Sequence, residues 1–154
     1  MLELSFTIEG DTQLLRRLQG IQKDFKDWTP EFKKIGDTLL KTFKENFGTA
    51  GSLLGEPWQP LKPDTLVAKT RSGYPPDILI RTGKMRDSFK SMSGQYEVIV
   101  YNPTPYFKYH QSNQPRRVLP RRVMMKLDNK RKEIIVKTIQ EAVQRKLSER
   151  SFVQ

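Results

Sequence analysis

The sequence predicts an α+β fold: a small antiparallel sheet packed with helices, a long N-terminal helical pair, and an amphipathic helix near the C-terminal end. Three observations point there. The opening LELSFTI alternates Leu2, Leu4, Phe6 and Ile8 with polar residues, and QYEVIVYN alternates again over 95–102, which is the period-two pattern of half-buried strands. Phe32, Ile35, Leu39, Phe43 and Phe47 recur three and four residues apart, the spacing of one helical face. Ile135, Ile139, Val143 and Leu147 repeat that spacing beside Ile134 and Ala142.

In order, the first strand is followed by a helix that Gly10-Asp11-Thr12 introduces and that carries Leu14, Leu15, Leu18, Ile21 and Phe25 to about residue 26, with Gly20 midway. A second helix opens at WTPEF. Thr29 is expected as its N-cap, Pro30 at the first helical position, and Glu31 beside the positive end of the dipole, with Gly48 closing it. Residues 48–63, GTAGSLLGEPWQPLKP, read as an irregular loop with Trp58 as its aromatic anchor. PDTLVAK and GKMRDSFK read as short helices, the second capped by Thr82. A basic loop spans 102–127, and the last helix runs from 128 to about 149, with Glu133–Lys137 and Glu141–Arg145 expected as i,i+4 pairs on its solvent side. There is no internal repeat, and 1–154 reads as one domain.

Composition narrows the function. Hydrophobic residues make up 36% and charged residues 29%, which implies a compact core and a large polar surface. No apolar run approaches the roughly 20 residues that cross a bilayer, and the opening MLELSFTIEG carries acids where a signal peptide has Lys or Arg. A soluble protein without a membrane role, retained in the compartment of synthesis, is expected. With 0 cysteines, disulfides, thiolate nucleophiles and cysteine metal sites are excluded. The net charge is +11, unevenly spread: residues 1–60 hold 8 Lys/Arg against 9 Asp/Glu, and residues 61–154 hold 20 against 8. Such a field attracts phosphate backbones, acidic protein surfaces or anionic membranes.

Catalytic chemistry finds little purchase. His110 is the chain's single histidine, with no orienting acid or nucleophile at a telling spacing. RTGKM has the Gly-Lys of a phosphate-binding loop, but Ile78 stands where its first glycine belongs and Met85 where its Ser/Thr belongs. One histidine without cysteine does not make a zinc site. Asp24 and Asp27 read as surface acids. Neither a metal nor another cofactor is expected.

The stretch YFKYHQSNQPRRVLPRR, 106–122, interleaves aromatics with arginines, a composition suited to single-stranded nucleic acid, where cations follow the backbone and rings stack on bases. Tyr106, Phe107 and Tyr109 fit a second description better, as plugs of a small core. Arg116, Arg117, Arg121 and Arg122 fit an assembly surface equally well, because the guanidinium fork pairs with carboxylate as readily as with phosphate.

Taken in order, these features resemble the Mu-like phage virion morphogenesis family, also called tail-completion proteins. The resemblance spans nearly the whole chain. Its residues are Trp58, Pro60, Leu61 and Thr65; Ile78, Leu79, Thr82, Gly83 and Ser88; Tyr106, His110 and Gln111; and Pro120, Arg122, Met124 and Met125. Ser112-Asn113-Gln114 replaces a glycine that commonly follows histidine-glutamine in the family, and MMKL replaces an aromatic-leucine-glycine step. The resemblance implies a non-enzymatic virion subunit acting in tail completion or head–tail joining. It also implies a homo-oligomeric ring in the neck or tail end that contacts other neck, head-completion or tail proteins and touches packaged DNA weakly. Trp58, Arg81, Tyr106, His110, Arg116, Arg117, Arg121 and Arg122 are the expected interface or DNA-facing residues. The alternative is a sequence-independent nucleic-acid module using 106–132.

Overall fold

The structure, a computed structural model, describes residues 3–6, 25–113 and 119–151. It is an α+β fold, as expected. Strand β1 (Glu3–Phe6) precedes helix α1 (Thr29–Gly48), a 3-10 turn (Ser52–Leu54), α2 (Pro63–Arg71), α3 (Lys84–Asp87), β2 (Lys90–Ser93), β3 (Val98–Tyr101), α4 (Phe107–Gln111) and α5 (Asn129–Ser151). The three strands form one sheet in the order β1-β3-β2. β2 and β3 are an antiparallel hairpin whose turn is closed by Gly94 N donating to Glu97 O at 2.9 Å. The helix expected up to residue 26 lies, through residue 24, outside the described residues.

Contacts divide the chain into two compact units. One is built from Leu39–Lys90 and Val100–Lys126; the other takes in the start of α1 through Thr38, Ser91–Ile99, and α5. In the first unit, Phe43, Phe47, Phe89, Phe107 and Trp58 are buried with Leu39, Leu54, Met85, Val100, Val123, Met124 and Met125. Their rings meet mostly edge to face: Phe47 on Trp58 at 5.2 Å and Phe89 on Phe107 at 5.7 Å, the arrangement that aromatic quadrupoles favour. In the second unit, Phe25, Trp28, Phe32, Ile35, Val98, Ile135 and Ala142 are buried.

All five apolar residues predicted for one face of α1 are buried, while Lys33, Lys34, Asp37, Lys41 and Glu45 lie on the exposed side. The start of the helix differs from expectation. Thr29 is not the cap: its N–H and hydroxyl both donate to Asp27 Oδ1, at 2.9 and 2.5 Å, and Trp28 O accepts the first helical bond from Phe32. Those bonds hold the Asp27 carboxyl below its usual value. At the other end the helix closes at Gly48, as expected, and the left-handed turn follows at Ala50, with φ 47°, and Gly51, with φ 87°. A Cβ on Gly51 would stand 2.2 Å from Glu56 O and 2.4 Å from Trp58 Cδ1, so only glycine fits. The second close approach is at Gly36, where a Cβ would meet Ser91 Oγ at 2.9 Å and Val98 Cγ2 at 3.1 Å. The hairpin therefore lies directly on the backbone of α1.

Two further expectations are corrected. The helix expected through Lys90 stops at Asp87, and 90–93 is β2. Its sequence KSMS has no apolar alternation, so nothing local announced a strand. On α5, Lys137 pairs with Glu141 at 4.0 Å, and Arg145 reaches Glu31 at 2.8 Å instead of Glu141. Glu31, in the first turn of α1 as expected, is buried.

A polar latch and the candidate interface

Of the residues shared with the family motifs, Trp58, His110 and Gln111 meet Arg122, Met124 or their neighbours in the segment 119–126 of the first unit. This segment has neither helix nor strand to satisfy its backbone, and buried peptide groups need partners. Side chains supply them. Val123 O accepts from Trp58 Nε1 at 2.8 Å and from Asn46 Nδ2 at 3.3 Å. Gln111 works on both sides of the chain: its Oε1 accepts from the N–H of Met124 and Met125 at 2.7 and 3.1 Å, and its Nε2 donates to Met125 O at 2.7 Å. One amide therefore replaces a strand partner.

Arg122 completes the latch. Its backbone N–H donates to His110 O at 2.8 Å, and its Nε and Nη2 donate to Gln59 O at 3.3 and 3.0 Å. The residue is only 6% exposed, and burial pulls its guanidinium below the usual arginine value. Outside this buried line, Glu56 accepts from both Lys126 and Arg121, the latter at 3.4 Å. Nearby, Asn102 Nδ2 donates to Met85 O at 2.7 Å while its Oδ1 accepts from Thr104 N and Oγ1. The loop before α4 is fixed in the same manner.

Of the expected interface residues, Trp58 and Arg122 are brought together inside the latch, and His110, half-buried, contributes its carbonyl. Arg121 and Tyr106 are exposed, as is Tyr109, whereas Phe107 is a core plug. Arg116 and Arg117 lie outside the described residues. Arg81 belongs to a separate cluster: its guanidinium lies 4.3 Å from the centre of the Tyr74 ring, and its Nη2 reaches the Tyr74 hydroxyl at 3.3 Å. Next to it, Lys69 Nζ donates to the carbonyls of Asp77 and Ile80, each at 2.6 Å, tying α2 to the following loop. Burial lowers the Lys69 pKa against the opposing pull of Asp77.

Sequence reasoning missed Asn46, Glu56, Gln59, Lys69 and Asn102. Each acts through, or toward, a backbone carbonyl or a distant ion partner, and periodicity carries no trace of such bonds. Among the described residues, no group of three or more His, Cys, Asp or Glu could hold a metal ion, and no helix is long and apolar enough to cross a membrane.

Polar side chains that hold backbone in place, beside exposed tyrosines and cations, define a small α+β structural module. The comparison with known families gives that class its particular member: the model of the phage virion morphogenesis family matches residues 10–144, and the chain belongs to that family. Among curated proteins and solved structures, none matches the chain. Its place is in the building of the phage particle, with which the protein is associated.

Proposed function

We propose that the protein is a non-enzymatic subunit of a tailed phage acting in tail completion or head–tail joining, as one member of a ring in the neck or tail end. The family match over residues 10–144 carries this reading. Two features agree with it. The latch residues Trp58, Gln111 and Arg122 act on the protein's own backbone, so the motif serves shape. The near-neutral first 60 residues and the strongly basic remainder suit a head-to-tail contact between unlike faces, which closes into a ring when the rotation allows. A durable contact of this kind buries about 1,000 Å² or more.

Packaged DNA passing such a ring calls for weak, sequence-independent phosphate contacts from exposed residues such as Arg121, since tight binding hinders ejection. Deleting the gene from the phage and imaging the lysate by negative-stain electron microscopy tests the reading. DNA-filled heads apart from tails, or tails of abnormal end or length, are expected; joined, normal virions contradict it.

One observation favours a nucleic-acid module: Tyr106 and Tyr109 are exposed with Lys108 between them, its ammonium 5.2 Å from the Tyr109 ring centre. In that reading Lys108→Ala with Tyr106→Ala lowers affinity for single-stranded DNA and flattens its salt dependence, while particles form normally. Unchanged binding removes it.

A further inference from the structure

Among the described residues the sheet has two edge strands. In the order β1-β3-β2, β3 is the central strand, so among the described residues β1 and β2 each have a neighbour on one side only. Unpaired backbone groups along an edge accept an incoming strand, and proteins commonly guard such edges with short length and lysine. β2 carries both guards, being 4 residues long and opening on Lys90, so it disfavours indiscriminate pairing and suits only a short strand of opposite charge. β1 is also 4 residues long and reads ELSF, opening on Glu3. The two edges match in length, each spanning roughly 13 Å, and their sequences open on opposite charges.

The hairpin beside the β2 edge adds an independent observation. Ser91 is turned toward α1, against Gly36, so Lys90 and Met92 lie on the outward face of β2 and are exposed. Met92 is 55% exposed and Tyr96, in the hairpin turn, 61%. They are the two most exposed large apolar side chains among the described residues, and both flank the open edge.

We propose that β2 of one copy receives β1 of the next copy, joined so that the acidic start of β1 meets the basic start of β2, with Met92 and Tyr96 covered by the contact. The inference rests on the ring reading above. Each subunit then uses one edge of each kind, a heterologous contact that propagates around a ring and leaves no open strand when it closes. Pairing of β2 with β2 would instead close a two-fold dimer and would not propagate around a ring.

The absence of cysteine from the chain gives a clean test in the full-length protein. Glu3→Cys and Lys90→Cys are introduced together and separately, then oxidised and resolved without reductant. Within one copy these positions lie two strands apart, roughly 10 Å, too far for a disulfide. The double variant is expected to give a ladder of covalent dimers, trimers and larger species, and neither single variant any. Oligomers by native mass spectrometry without a ladder overturn the edge pairing and leave the ring reading standing. Covalent dimers from Lys90→Cys alone show β2–β2 pairing and also overturn it. An unmodified chain that stays monomeric at every concentration removes the ring and the pairing together. As a second measurement, Met92→Asp with Tyr96→Asp is expected to weaken self-association at least roughly tenfold, equivalent to about 1.4 kcal/mol, with an unchanged circular dichroism spectrum. Unchanged association contradicts the proposal.

Discussion

Residues 119–126 and helix α2 belong to the same unit and both carry residues of the family motifs, yet they are held in opposite ways. The first has no regular structure, and Arg122, Val123, Met124 and Met125 are all buried. The second is a regular nine-residue helix with no buried residue, with Leu66 and Val67 exposed. Lys69 ties it to the following loop through two carbonyls. Regularity is therefore a poor guide to anchorage here. Irregular backbone buried beside polar side chains is expected to resist local opening more than an internally satisfied helix lying on the surface.

Substitutions at the two places sharpen this contrast. The largest effect is expected at Trp58, whose removal empties a buried site and leaves Val123 O without its shorter bond. Trp58→Ala should cost about 4 kcal/mol, or roughly 12 °C in Tm for a chain of this size; a loss below about 1 kcal/mol would show that the latch is not anchored by this ring. Gln111→Ala comes next. It deletes three bonds to the segment and leaves buried N–H groups unpaired, for about 3 kcal/mol. Urea unfolding checks the figure, and Gln111→Glu should recover little, because a carboxylate lacks the donor that Met125 O requires.

Lys69→Met should act locally. Thermal unfolding is expected to shift by less than about 1 kcal/mol, while amide exchange in α2 accelerates. A large global loss would place α2 among the firmly held elements and erase the contrast. The smallest effect concerns acid. Thr29 donates to the Asp27 carboxylate and lowers its pKa in the folded protein. The helix-start contribution is therefore complete above the ordinary value of 3.8 and fades as pH falls through the lower folded value. Amide exchange in the first turn of α1 should rise over that interval, and Asp27→Asn should flatten the response.

The same contrast explains what could be read from the sequence. α1 was legible because its core face is a pure repeat of Phe, Ile and Leu, and α5 because its apolar row survives among many charges. Along α5, however, burial covers only part of that row: Ile135 and Ala142 are inside, while Ile134 and Leu147 are exposed. Its ion pairs were set by tertiary reach, with Arg145 drawn to Glu31. β2 was invisible because KSMS has no hydrophobic alternation. Gln111 and Arg122 could be singled out through family resemblance, but their work on neighbouring carbonyls depends on residues far away in sequence, such as Gln59. Arg122 illustrates the limit of composition most plainly: a cation counted toward a basic surface lies inside the protein.

The most direct test of the assembly role is rescue of a lysate from phage lacking this gene by adding the purified full-length protein and counting plaques. Recovery of infectious particles on addition of the protein, and no recovery with heat-denatured protein, is the predicted result. A lysate whose heads and tails are present but whose infectivity does not respond to the folded protein would contradict a completing role for this chain.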